Sequence, residues 1–475
     1  MKRILRILLL LIIAVIAIVL FNTLTMNSQQ VEAEPLAMPE ISDSAYYRLA
    51  GALTYKTISF NEDTPPDSAA FFGLHRFLAK SFPRVHQEME LTKISTYSLL
   101  YKWQGSDTSL KPVILMSHQD VVPVDEPTLA DWEAGPFEGV MTDTHILGRG
   151  AMDDKSTLVA GLESAEMLLA EGFRPQRTIY FAFGHDEEIG GHNGANEIAK
   201  YLKNQGVEAL VTLDEGGNLA DGLVPGIEGS VALVNLAEKG YVSYKLRVET
   251  AGGHSSMPPS ENTVGILAKA IVDLEENQLP YKMVSPLPQM LEALGPELPF
   301  TQRMAVANPW LFGPFILETV NAHTTTAPTI ISGGVKDNVI PTVAEATVNF
   351  RILPGESIET VAAHIRETVH DTIQIEPLGF KTNPSRISSV ESKGYTTLQT
   401  TIRGLFGDVP VIPGLVGGGT DARYFYDVSE DVYRFYPMRI NKDNIGGFHG
   451  IDEKISKANY AEIIGFTYHF IRNIQ

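Results

Sequence analysis

The sequence predicts an α/β protein: a mainly parallel sheet flanked by helices, interrupted by a smaller α+β domain. Three observations predict it. Apolar runs of strand length, Val113 to Ser117, Thr178 to Gly184 and Ala209 to Leu213, each lead into imidazole or carboxylate residues. Amphipathic helical stretches such as Ser156 to Ala170 and Gly194 to Lys203 alternate with such runs, the βαβ rhythm of a parallel sheet. Near Glu238 that rhythm gives way to strand, helix, strand, helix with one apolar helical face, a unit of a different kind.

The chain opens with Lys2, Arg3 and Arg6 before an unbroken apolar run from Ile7 to Phe21. Fifteen residues of helix span roughly 22 Å, short of a hydrocarbon core of about 30 Å, although Ile4, Leu5 and Leu24 extend the run. This is a signal peptide or an N-terminal membrane anchor, followed by a polar linker through Pro35. Basic residues before the apolar run place the remainder of the chain on the far side of a membrane, so the protein is expected to be exported: periplasmic, secreted or lumenal.

Ser44 to Arg84 reads as helix broken by a loop at Asp63-Thr64-Pro65-Pro66-Asp67. The strand and helix alternation then carries a first catalytic segment, 40–237. The inserted domain, 238–378, begins with Tyr241 to Glu249, whose alternating apolar and polar residues suit a half-buried strand. Thr263 to Glu276 is a helix, Ala344 to Ile352 a second alternating strand, and Ile358 to His370 a second helix. Between them, Leu279 to Phe315 is rich in Pro, Leu, Met and aromatic residues without clean periodicity. It is expected to be an irregular packed excursion, or an apolar wall near a substrate pocket. The segment 379–475 returns to strand and helix and completes the catalytic domain.

At 475 residues the chain exceeds the size at which one core usually stops growing, consistent with more than one domain. Its formal charge of -20 argues against nucleic acid or an anionic lipid surface as main partner, leaving the N-terminal segment as the membrane contact. The chain has no cysteine, which excludes disulfides, thiolate metal ligands and a cysteine nucleophile.

The polar residues past the strand ends form a constellation. His118-Gln119-Asp120, Gly148 to Lys155 with Asp153 and Asp154, Asp186-Glu187-Glu188, Asp214-Glu215 and Phe448-His449-Gly450 bring imidazole and carboxylate to the sheet edge where ligands bind. Mixed nitrogen and oxygen donors without thiolate suit zinc, with cobalt or manganese as alternatives. A ligating imidazole needs its second nitrogen hydrogen-bonded, and Asp120, two residues beyond His118, projects to the same side. Adjacent Glu187 and Glu188 can divide labour, one toward a metal and the other toward water.

These segments, with Gly252-Gly253-His254-Ser255, resemble the two-zinc exopeptidases of the carboxypeptidase S, glutamate carboxypeptidase and aminoacylase group. Asn308 to Pro314, Gly418 to Phe425 and Tyr433 to Pro437 look most like the carboxypeptidase S branch and its secreted N-acyl amino acid hydrolase relatives. The resemblance implies the zinc-exopeptidase fold with an inserted lid or dimerisation domain, and two Zn²⁺ ions. Asp153 would bridge them, with His118 and Asp214 completing one site and Glu188 and His449 the other. Glu187 would be the general base, Asp120 would hold the His118 ring, and His254 would donate to the oxyanion, in its own subunit or across a homodimer. Arg351 would pair with the substrate carboxylate, helped by Gly418, Gly419 and Thr420, with Asn338 near the oxyanion. A cis peptide between Asp153 and Asp154 is also implied.

The expected activity is hydrolysis of the amide next to a C-terminal amino acid, in a small peptide or an N-acyl amino acid. The alternative is a non-catalytic binding or scaffold protein that retains the fold. Monomer and homodimer both stay open at this point.

Overall fold

The computed structural model describes residues 2–475. Its main sheet has ten strands. Three parallel neighbours form the centre: Ile179–Gly184, Val113–His118 and Ala209–Asp214, with Ser429–Arg434 parallel beside the last. Ser98–Trp103 and Glu90–Ile94 extend one side antiparallel, while Ser230–Glu238, paired in parallel with Val411–Val416, extends the other. The period-2 alternation of these strands divides their side chains between two cores. Leu115, Phe181, Phe183, Val211 and Leu213 pack beneath helices Asp43–Leu53, Lys155–Ala170, Lys393–Phe406 and Lys457–Asn473. Ile114, Met116, Tyr180 and Ala182 face helix Ala195–Asn204 on the other side. Because the central strands run parallel, their carboxyl ends share one edge of the sheet.

A second, four-stranded antiparallel sheet has the order Thr325–Gly333, Val343–Ile352, Gly240–Glu249, Gln374–Thr382. Alternate residues of Val343–Ile352 are buried, and with Val242, Tyr244, Leu246 and Val248 they form a separate core under helices Thr263–Glu276 and Ile358–Thr368. These are the two alternating strands and two helices that the sequence pattern predicts, with ends shifted by two residues or fewer.

The excursion Leu279 to Phe315 differs from the expectation of irregular structure. It holds three short helices, Leu287–Leu294, Phe300–Val306 and Pro309–Thr319. Prolines at or beside each helix start and at Pro314 hide their period, and Leu287, Leu291, Ile316 and Ala322 form a small core of their own. Ala293 also meets Val231 and Ile412, so the excursion leans on the main sheet. The N-terminal helix, Lys2–Thr25, is long and apolar enough to cross a membrane, with mean hydropathy 3.3 over an 18-residue stretch; an anchor and a signal sequence share that property.

Candidate metal centre and active site

His118 ends the central strand Val113–His118, and its backbone N–H donates to Asp154 Oδ2 at 3.2 Å. The His118 Nδ1 lies 3.0 Å from the Asp120 carbonyl and 3.3 Å from Asp120 Oδ1. An Nδ1–H donated there fixes the ring and turns Nε2 outward, 2.9 Å from Asp153 Oδ1. The second oxygen of Asp153 lies 3.1 Å from His449 Nε2, which in turn is 3.3 Å from Glu188 Oε2. One carboxylate thus stands between two imidazoles. The peptide joining Asp153 to Asp154 is cis.

Asp120 has a second task. Its two carboxylate oxygens accept the backbone N–H groups of Glu187, at 3.1 Å, and Glu188, at 3.2 Å. This holds the 3-10 turn Glu187–Ile189 against the His118 loop, and Gly190, at φ 104°, lets the chain leave that turn in a left-handed conformation. Glu453 does the same for the Asp153 loop. Fully buried, it accepts Arg149 Nη1 at 2.7 Å and the amides of Gly150 (2.9 Å), Met152 (2.7 Å) and Asp153 (3.1 Å). His449 itself sits in a left-handed turn, φ 55°, uncommon for a residue with a side chain.

The structure differs from the expected arrangement at one position. Asp214 closes the strand Ala209–Asp214, and its carboxylate turns away from the site to accept Ala422 N–H at 2.8 Å. Side chains alternate along extended backbone, so the next residue, Glu215, points the other way and brings Oε1 to 3.4 Å from His118 Nε2. Two groups result whose ligand atoms lie within 4.8 Å of one another: His118, Asp153 and Glu188, and His118, Asp154 and Glu215.

Charge shows what these groups suit. Burial pushes Glu215 up to about 8, reinforced by Asp153, and raises Glu187 well above the usual carboxylate range despite His118 nearby. Burial also raises Glu188 and Asp154. Hydrogen bonds to Asp153 and Glu188 raise His449 to about 10. Asp153 is instead lowered, because His118 and His449 outweigh its burial, and Asp120 is lowered by His118 in the same way. So many buried carboxylates beside two imidazoles are short of positive charge, and the buried Glu188 Oε1 has no hydrogen-bond partner among the described residues. Bound divalent cations would satisfy both conditions, so the donor set fits a metal centre.

Arg351 lies on Val343–Ile352 across from Tyr241, over whose ring its guanidinium stacks at 4.7 Å, and its Nη1 lies 3.4 Å from the Gly417 carbonyl. It is therefore beside the turn containing Gly418 and Gly419. Thr420 is not free for a ligand, which corrects its expected role: its N–H and hydroxyl both donate to Glu238, at 3.1 and 2.7 Å, and Glu238 pairs with the fully buried Arg434. Lys239, next along the chain, lies near enough to Arg351 for that charge, after burial, to lower its pKa. Next to Lys239 is a cavity of about 160 Å³ lined by Leu287, Met290, Leu353 and Leu415.

His254 and Asn338 stand together on the inserted domain, where Ser255 N–H donates to the Asn338 carbonyl at 3.2 Å. The exposed His254 ring accepts from Ser256, and no hydrogen bond or ion pair among the described residues joins either residue to the metal-centre group. Sequence reasoning placed Asp154 and Glu215 in the constellation without giving either a role, and did not single out Glu453 or Lys239. The Asp214-Glu215 pair carried a usable signal, since only one of two neighbours on extended backbone can face the site.

A family model described as peptidase family M20/M25/M40 matches residues 114–473. The chain is 40% identical to a probable carboxypeptidase S-like 2 of Dictyostelium discoideum, over 96% of this chain and 91% of that one. It is also 40% identical to the N-fatty-acyl-amino acid synthase/hydrolase PM20D1 of Xenopus tropicalis, over 90% of this chain and 85% of the relative. In fold it is similar to the crystal structure of the M20 family metallo-carboxypeptidase Sso-CP2 from Sulfolobus solfataricus. That match has TM-score 0.68 at 19% identity and covers 91% of this chain and 99% of the other.

Proposed function

The chain belongs to peptidase family M20/M25/M40 and is a metal-dependent hydrolase; from that premise we propose that it cleaves the amide linking an acyl or peptidyl group to a C-terminal amino acid. The observation that carries the proposal is the Asp153 carboxylate between His118 and His449, with Arg351 placed beside the Gly417 to Gly419 turn.

In this reading His118, Asp153 and Glu215 would hold one metal, and Asp153, Glu188 and His449 the other. Zinc is the first choice, with cobalt or manganese fitting the same donors. When bound, the ions would supply Lewis acidity toward the scissile carbonyl and lower the pKa of a bound water toward about 7. Glu187 takes the proton from the attacking water and returns it to the leaving amine, because it lies beside the ligands without being one of them. Asp120 keeps both the His118 ring and the Glu187 turn in place. Arg351 presents a planar fork to the substrate carboxylate, with Gly418 and Gly419 beside it and Lys239 adding positive charge. The cavity lined by Leu287, Met290, Leu353 and Leu415 favours an apolar substrate side chain. Asn338 and His254 would reach a substrate only through movement of the inserted domain or from a second subunit. We take 40–237 with 379–475 as the catalytic domain, 238–378 as the insertion, and the exported side of a membrane as its location.

Glu187→Gln tests the mechanism. Metal content and fold persist while turnover falls about 10²–10⁴-fold, the usual contribution of a general acid and base. Turnover within a few-fold of the parent removes Glu187 from the chemistry. Comparing a long-chain acyl amino acid with a blocked dipeptide, each against its C-terminal amide, assigns the substrate class and tests the demand for a free carboxylate.

A further inference from the structure

We propose that helix Pro309–Thr319 lies in the surface of the membrane that the N-terminal helix enters, so that the body of the protein is seated on lipid. The inference is independent of the chemistry above and requires that Lys2–Thr25 be retained. The N-terminal helix is exposed along most of its length, and its two buried residues, Val19 and Thr23, are one turn apart. Both face Asn308, which is itself fully buried. The Asn308 amide donates to the Met304 carbonyl at 2.9 Å, the Val19 carbonyl at 3.2 Å and Thr23 Oγ1 at 3.4 Å, and its oxygen accepts Asn22 Nδ2 at 3.0 Å and Trp310 Nε1 at 3.3 Å. Three of these five partners belong to the N-terminal helix. Asn308 thus ties the N-terminal helix to helix Pro309–Thr319 by direct hydrogen bonds.

Asn308 is also the residue before helix Pro309–Thr319. From this joint runs an apolar stripe, Trp310, Leu311, Pro314 and Phe315, at positions i, i+1, i+4 and i+5 of one helical face. Trp310 is 55% exposed and Phe315 65%, while Gly313 and Ile316 supply the buried face. The stripe thus begins at the level of Val19 to Thr23 on a helix whose own exposed residues, Ile7 to Phe21, suit hydrocarbon. Twenty-four residues of helix span about 36 Å, longer than a hydrocarbon core of about 30 Å. Val19 to Thr25 then fall near the outer boundary, where Trp is enriched and an apolar helix face can rest. A net charge of -20 gives the body no electrostatic hold on an anionic bilayer, so apolar contact is the means left to it.

The absence of cysteine makes the test clean. Nitroxide labels go on Leu311→Cys and, separately, Phe315→Cys in the full chain in phosphatidylcholine vesicles, with Val335→Cys, 98% exposed, as the aqueous reference. The expected result is relaxation enhancement by lipid-soluble oxygen at 311 and 315, with access to a water-soluble nickel chelate several-fold below that at 335. Intact mass of the chain isolated from expressing cells should include Lys2–Thr25. Chelate access at 311 and 315 equal to that at 335, spin–spin broadening that places a second copy on the face, or a mature chain lacking Lys2–Thr25 would each overturn the proposal.

Discussion

The carboxylate of Glu453 accepts the backbone N–H of Asp153 at 3.1 Å, across 300 residues of chain. That contact joins a residue near the chain's C-terminal helix to the loop that presents the central carboxylate. Glu453→Gln keeps the shape but gives up the charge that pairs Arg149. Metal affinity is expected to fall about 10–100-fold, as for other groups that orient ligands. Chelator competition measures it, and unchanged affinity would remove Glu453 from the support of the site.

Asp214 and Glu215 are neighbours whose carboxylates meet different partners, Ala422 N–H and the His118 ring. Glu215→Ala should reduce bound metal and turnover together while leaving thermal stability near that of the parent. Asp214→Ala should instead lower stability by about 1–3 kcal/mol, because the Ala422 N–H loses its buried acceptor. Urea unfolding and metal analysis on the two variants separate the effects. The reverse pattern would return Asp214 to the ligand set.

Arg351→Lys tests the carboxylate fork. The substitution keeps the charge but loses the planar pair of donors, so KM should rise by roughly 10-fold or more with kcat little changed. An effect confined to kcat would assign Arg351 to the reacting atoms instead.

Glu238 ties the Thr420 turn to Arg434 in a pair that is nearly free of solvent. Glu238→Ala leaves a buried guanidinium without its counter-charge and should cost about 3–5 kcal/mol, whereas Glu238→Leu with Arg434→Met should recover most of that loss. Equal instability of the single and double variants, measured by denaturant unfolding, would mean that packing rather than charge dominates there.

The sequence made the sheet edge legible because apolar runs ended abruptly in His118, Asp186-Glu187-Glu188 and Asp214-Glu215, and period-2 alternation marked the inserted strands. It did not separate Asp214 from Glu215, since a single step along extended backbone decides which side chain faces the site. Nor did it reveal Glu453, whose role exists only once distant segments meet. Thr420 read as a ligand-binding hydroxyl because nothing local marks Glu238 as its partner. The helices between Leu287 and Thr319 were obscured by prolines that start or interrupt each of them.

Metal stoichiometry with reversible inactivation tests the central arrangement most directly. Elemental analysis of the purified full chain should give two equivalents of divalent metal, and exhaustive chelation should abolish amide hydrolysis until zinc, cobalt or manganese restores it. Hydrolysis that continues after complete metal removal, or a single equivalent unaffected by Glu215→Ala and His449→Ala alike, would contradict a carboxylate shared between two cations at Asp153.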